Sequence, residues 1–234
     1  MRRKNDLGRD PIGPLVLRIA LPSMLAQFVS VLYSIVDRMY IGHIPGVGDL
    51  ALAGVGVCGP VVTMIGSAAS LIGVGGAPLM SMRMGEGETE QARRILANCF
   101  LMLCVLSVAL MALLAPIREP MLMLFGASEA TFPFAGAYFS AYLCGTPFAL
   151  LSTGMCQFII CQGFAGQAML SVVLGAVMNI VLDPVFIYVL DMGVTGAAVA
   201  TVISQVGSCA FVLAFLFGSK PHVLSLIHIS EPTR

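Results

Sequence analysis

The sequence predicts an all-α, polytopic membrane protein with six transmembrane helices. Three observations predict it. First, 58% of the 234 residues are hydrophobic and 10% are charged, where ordinary soluble domains carry about 25% charged residues; mean hydropathy is +0.96. Second, the charges cluster at the N-terminus, around 83–94 and around 118–129, and the gaps between them are long enough for spans of about 20 apolar residues. Third, the 53 residues from Ala130 to Leu182 carry no charge. One helix of that length would be about 80 Å long, far beyond a bilayer, so the run must fold back as two spans.

The composition also excludes function classes. Twelve basic and twelve acidic residues cancel to zero net charge, so nothing points to a nucleic-acid partner. Trp is absent, which leaves interfacial anchoring to Tyr, Lys and Arg. The seven cysteines form no C-x-x-C pair, and His43, His222 and His228 are not spaced with them as metal ligands. They read as small apolar packing residues.

Residues 1–13 form a basic, polar N-terminal segment with Arg2, Arg3, Lys4 and Arg9. The apolar stretch begins only near Leu15, and no small-residue cleavage site precedes the next charges, so the first span is read as uncleaved. That span covers about 14–41. Pro14 suits a helix start, and Pro22 should bend the helix from within. Gln27, Ser30, Ser34 and Asp37 recur at i, i+3, i+7 and i+10, which draws one polar stripe along a helix. Such a stripe suits a span that faces a water-filled cavity. Arg38 lies about 100° further round the helix and need not pair with Asp37.

Gly42 to Asp49 is a loop by its Gly and Pro content. The second span covers about 50–82, with Pro60 and Pro78 as kinks. Within it, Gly54-Val55-Gly56-Val57-Cys58-Gly59 has the G-x-G-x-x-G spacing. No strand–turn–helix surrounds it and no acid follows about 20 residues on, so it is not a dinucleotide site. Small residues that allow close helix approach explain it better.

The third span covers about 93–117, and Arg118-Glu119-Pro120 should end it. Pro120 to Gly126 reads as an interfacial stretch, and Ser128 as the N-cap of the next helix with Glu129 in its first turn. The 53-residue run breaks best at Gln162-Gly163, giving a fourth span of about 131–160 and a fifth of about 167–190. A sixth, about 194–218, repeats the stripe with Thr201, Ser204, Gln205 and Ser208. The spans make one unit of 14–219, followed by a tail of 220–234.

The fifth span holds the most costly feature. Asn179 and Asp183 are four apart on one helical face. Pro184 has no N–H, so the Ile180 carbonyl loses its partner one turn back. An acid inside a membrane costs roughly 2.5–3.5 kcal/mol on insertion scales and is a functional-site hypothesis by default.

Orientation follows from Lys and Arg. With the N-terminus in the cytoplasm, the inner segments hold Arg2, Arg3, Lys4, Arg9, Arg18, Arg83, Arg93, Arg94 and Lys220, and the outer side holds Arg118 and Arg38. This places the chain as multi-pass in the plasma or inner membrane with both ends inside. It also brings Asp37 and Asp183, from separate spans, to one membrane depth near the outer side.

An ordered set of short motifs then resembles a known family. It comprises Ile19-Ala20-Leu21-Pro22, Val36-Asp37-Arg38-Met39-Tyr40-Ile41-Gly42, Met84-Gly85-Glu86-Gly87 with Ala92-Arg93-Arg94, Gln162-Gly163, Asn179 to Pro184, and Gly193-Val194-Thr195-Gly196-Ala197-Ala198. Over about 14–218 the chain resembles the N-terminal half of MATE (multidrug and toxic compound extrusion) transporters. The resemblance implies one six-helix lobe of a two-lobe fold around a central cavity, with a C-terminal lobe to complete it. It implies export of small amphipathic or cationic compounds in exchange for H⁺ or Na⁺, with no other cofactor and with membrane lipid around it. It implies that Asp37, Asn179, Asp183 and Thr201 form the cation site, with Tyr138 beside it. Na⁺ would sit at Asp37, Asn179 and Asp183. Gln27, Ser30, Ser34 and Gln205 would line the cavity, and Pro22 and Pro184 would be hinge points. Leu224 to Arg234 resembles a translated sequencing-adaptor tail rather than a family linker, so the native chain is expected to continue beyond about Val223.

On this reading the chain is not an enzyme. Proton or Na⁺ binding would remove the charge penalty at the two acids and let the first span repack. Two other functions compete. A lipid-linked sugar flippase of a related superfamily branch would differ in substrate alone; basic cavity residues are its mark, and the spans here hold Lys or Arg only at their edges, such as Arg38. An intramembrane aspartyl protease would use Asp37 and Asp183 as a dyad. The Tyr-Asp element of such proteases is absent, and Asp183 is followed by Pro in a helix-kink context.

Overall fold

The computed structural model describes residues 12–218. The expectations for the N-terminal segment 1–11, for Lys220 and for the tail 219–234 lie outside the described residues. Those residues form six α-helices and no strand: α1 Ile12–Gly42, α2 Gly48–Gly85, α3 Thr89–Leu124, α4 Phe132–Cys161, α5 Ala165–Pro184 and α6 Gly193–Phe217. A π-helical segment, Val185–Val189, extends α5. All six helices are long and apolar enough to cross a membrane.

Five helices close a ring. α1 packs on α5, α5 on α6, α6 on α4 and α4 on α2; α2 returns to α1 through a light contact. α3 lies outside the ring against α2 and α4. Small residues set the tight junctions. A methyl group at Gly54 would stand 2.9 Å from the Thr131 carbonyl oxygen, and one at Gly73 would stand 2.8 Å from the Gly154 carbonyl oxygen. Both glycines therefore let α2 approach α4 at backbone distance, the packing that membrane helices rely on. Of the three glycines in the G-x-G-x-x-G stretch, Gly54 alone makes such an approach; Gly56 has nothing within 4 Å.

Two local expectations need correction. α3 does not stop at Arg118-Glu119-Pro120; it continues to Leu124 through Pro116 and Pro120, so no separate interfacial stretch follows. Its stop is Gly126, at φ +105°. There Ala127 N–H bonds to Leu122 O at 3.0 Å and Gly126 N–H to Met123 O at 3.1 Å. This Schellman pattern satisfies carbonyls that a helix end would otherwise leave open. The buried Leu122 side chain holds the extra turn down. The second correction concerns Ser128, which lies three residues ahead of the true N-cap, Thr131. Its hydroxyl accepts from Thr131 N–H at 3.3 Å and its carbonyl accepts from Phe132 N–H at 2.8 Å, a turn that leads into α4. Glu129 therefore precedes the helix.

α4 ends by the same device as α3. Gly163 has φ +85°, and Phe164 N–H bonds to Ile159 O at 3.2 Å. Pro184 does not simply bend α5: the chain passes directly from it into the π-helical segment, a wider winding common at functional positions.

Candidate functional site

Asp37 sits on the last turns of α1, and Asn179 and Asp183 on the last turns of α5. The α1–α5 contact brings the Asp37 and Asp183 carboxyl groups face to face. Asp183 is 0% exposed, Asn179 1% and Asp37 8%. Asn179 and Asp183 lie one turn apart, as their spacing predicts. Asn179 Nδ2 donates to Asp183 Oδ1 at 3.1 Å and lies 3.3 Å from Thr201 Oγ1 of α6. Four residues from α1, α5 and α6 thus meet at one point.

Buried charges and polar groups are costly unless they are satisfied. Here three buried oxygens, Asp37 Oδ1, Asn179 Oδ1 and Asp183 Oδ2, accept no hydrogen bond from an N–H or hydroxyl of the described residues, and the two carboxyl groups are close enough to share a proton. Tyr33 and Tyr138 lie within electrostatic reach of Asp37. Tyr138 is buried in α4, with its ring stacked on Tyr142 at 6.4 Å. Arg38, on the exposed side of α1, also acts electrostatically on Asp37. Among the described residues no group of three or more His, Cys, Asp or Glu comes together.

A cavity of about 240 Å³ lies inside the ring and reaches this point at Asn179 and Thr201. The whole α6 stripe lines it: Thr201, Ser204, Gln205 and Ser208. Gln205 Oε1 is a further buried oxygen without a partner among the described residues. From the α1 stripe, Ser30 lines this cavity, while Gln27 lines a second one of about 470 Å³ that adjoins it. Ser34 lines neither. It donates to Ser30 O at 3.0 Å within its own helix and faces a groove beside α1 with Gln27 and Arg38. Pro22 lies inside α1, below the stripe.

Sequence reasoning missed the α4 wall, where Tyr142, Ser152 and Thr153 line the cavity inside the ring. It also missed a contact at the other end of the site. Tyr188, on the π-helical segment, donates its hydroxyl hydrogen to Tyr40 O of α1 at 2.7 Å. The two rings meet edge to face with centroids 6.4 Å apart. A Gly-x-Gly-Asp run does occur at Gly46-Val47-Gly48-Asp49, but it lies at the α1–α2 turn and Asp49 is exposed. It does not supply the acid that faces Asp37.

Known proteins resemble this chain in sequence and in fold. The family model described as MatE matches residues 22–185. The chain is 28% identical over 208 residues to a protein called an FAD transporter from Shewanella oneidensis, covering 87% of this chain and 45% of that one. It is 22% identical over 226 residues to the multidrug export protein MepA of Staphylococcus aureus, covering 97% and 50%. Among solved structures, the MATE multidrug transporter DinF-BH superposes with a TM-score of 0.86 at 34% identity, over 96% of this chain and 50% of that one. The chain spans about half the length of the curated relatives it matches.

Proposed function

The chain belongs to the MATE family, and from that premise we propose that it is the N-terminal half of a secondary active exporter that moves small amphipathic or cationic compounds out of the cell in exchange for H⁺ or Na⁺. The observation that carries this reading is the set of three buried oxygens on Asp37, Asn179 and Asp183 that no N–H or hydroxyl of the described residues reaches. Hard cations take oxygen ligands. Two carboxylates with a carboxamide oxygen and the Thr201 hydroxyl suit a small monovalent cation, or a proton on one of the acids. Without either, two like charges face each other away from water.

Coupling follows from where the ligands sit. Asp37 belongs to α1, while Asp183, Asn179 and Thr201 belong to α5 and α6. A cation held between them draws α1 onto its neighbours, and its loss releases α1, with Pro22 as the bend point. A cation can shift two conformations only by its differential affinity for them, and a site split across a helix interface provides that difference. The charge distribution supports a cytoplasmic N-terminus in the inner or plasma membrane.

The relative called an FAD transporter gives a second reading of the substrate, a flavin or nucleotide-like ring system. The tyrosine-bearing wall of the cavity inside the helix ring, with Tyr33 and Tyr142, offers faces for ring stacking. Competition of dye efflux by FAD separates the two substrates.

The test of the main reading is efflux by the complete transporter carrying Asp183→Asn, at matched expression. Loss of cation-driven efflux is the expected result. Undiminished coupled efflux removes Asp183 from the mechanism.

A further inference from the structure

Two bridges join α1 to α5 and its π-helical extension, and they lie in register. The first is the Asp37–Asp183 pair. The second is Tyr188, whose hydroxyl donates to Tyr40 O at 2.7 Å while the two rings meet edge to face. On α1 the two positions are three apart and share a face. Across the interface they are five apart. Five residues of α-helix would leave Tyr188 about 140° round from Asp183, turned away from α1.

The π-helical segment removes this conflict. Leu190 N–H bonds to Val185 O at 2.9 Å, an i to i+5 closure, which fits one more residue into the turn than an α-helix does. Tyr188 is thereby carried back to the side that Asp183 presents to α1. Pro184 starts the change, because it has no N–H to continue the α ladder. α6 packs on the segment and holds it in this winding. Met192 N–H, just ahead of α6, bonds to Phe186 O at 3.1 Å, and a methyl group at Gly196 would stand 2.6 Å from that same oxygen.

The acceptor matters as much as the donor. Tyr40 O belongs to the last turn of α1, where carbonyls run out of helical partners. His43 N–H reaches it at 3.2 Å in an i to i+3 closure, and Tyr188 adds a shorter bond from across the interface. Tyr188 thus caps the end of the helix that carries Asp37, one turn beyond the acid.

We propose that Tyr188 is a positioning residue for the cation pair: by capping α1 at Tyr40 O it holds Asp37 against Asp183, and so strengthens cation binding without touching the cation. This rests on the cation-site reading given above. A bond and a cation that both span α1 and the α5 side favour the same arrangement, so each strengthens the other. Weakening the cap lowers the fraction of molecules able to bind, and apparent affinity falls with that fraction.

The test is cation binding by the purified complete transporter. Na⁺ is titrated at fixed ionic strength by calorimetry; protons are followed by the infrared carboxylic-acid band that Asp37→Asn with Asp183→Asn removes. Tyr188→Phe keeps the ring and removes the donor. The half-saturating Na⁺ concentration should rise about threefold or more, or the midpoint of the band should move about half a unit to lower pH, as fits the loss of one neutral hydrogen bond. Tyr188→Ala should move it further. The groups that act on the pair, Tyr33 and Arg38 of α1 and Tyr138 of α4, are the same in every variant. Gly73→Ala, at the α2–α4 junction, should lower stability and leave the midpoint in place. An unshifted midpoint in both Tyr188 variants overturns the proposal, and so does an equal shift in Gly73→Ala, which would mark general loosening. The cation-site reading fails on a different result: wild-type Na⁺ binding and an unchanged carboxylic-acid band in the double Asp37→Asn, Asp183→Asn variant.

Discussion

Asn179 donates to Asp183 at 3.1 Å, one turn further along α5, and lies 3.3 Å from Thr201 on α6. One carboxamide therefore fixes the orientation of the buried acid and ties two helices together. Its own oxygen is left without a partner among the described residues. Asn179→Ala removes the donor while leaving the acid buried. Stranding a buried polar group costs about 1–3 kcal/mol. The variant should unfold at lower temperature in detergent and should lose cation-driven efflux. A Thr201→Val variant keeps the Asn179–Asp183 bond and should unfold closer to wild type. Equal destabilisation by the two would contradict this division of roles.

Tyr188→Phe removes a single hydrogen bond and keeps the edge-to-face ring contact with Tyr40. A neutral hydrogen bond contributes about 0.5–1.5 kcal/mol net, so the expected loss of thermal stability is small. Tyr188→Ala removes ring and bond together and should cost clearly more. Calorimetry or a thermal-shift series on the two variants checks the order.

The α2–α4 junction should tolerate little added volume. Gly73→Ala places a methyl group against the Gly154 carbonyl, whereas Gly56→Ala and Gly75→Ala place one in open space. Overpacking of this kind costs about 1–3 kcal/mol. Folded yield should fall for Gly73→Ala and hold for the other two. A uniform response across the three would show that the junction is looser than its geometry.

Residues 1–234 alone should assemble the six-helix lobe but should not export substrate. The polar face of α1 that includes Gln27, Ser34 and Arg38 lines an open groove on the lobe's surface, and large apolar side chains along the same helix, such as Phe28 at 66% and Met24 at 68%, are exposed. A helical circular-dichroism signal with no dye efflux from proteoliposomes is the expected outcome. Efflux from this piece alone would make it a functional half-transporter.

Much of this was legible in the sequence because the physics there is local. Charge gaps against bilayer thickness gave the number of helices. The i, i+3, i+7 stripe placed Ser30 on the cavity, and its repeat placed Thr201, Ser204, Gln205 and Ser208 there. Four-residue spacing paired Asn179 with Asp183, and Gly163 marked the end of α4. The misses have physical causes too. Arg118-Glu119-Pro120 reads as a stop, but a helix can run through proline when its end is fixed by Gly126 and its last turn by the buried Leu122. Ser34 shares the stripe's period yet bonds to its own helix. Ser152 and Thr153 carry no mark in an uncharged run that contains other Ser and Thr residues. Tyr40 and Tyr188 are 148 residues apart, and their contact depends on a π-helical segment that no spacing rule announces.

The most direct test of the cation pair is the thermal midpoint of the purified complete transporter, followed as Na⁺ rises at fixed ionic strength and, separately, as pH falls. A ligand that binds the folded state stabilises it, by about 2.7 kcal/mol at a hundredfold excess over its Kd. The wild type should gain stability with Na⁺, with acid or with both. The double variant Asp37→Asn with Asp183→Asn should show a flat response to each. An undiminished rise in the double variant would contradict the account.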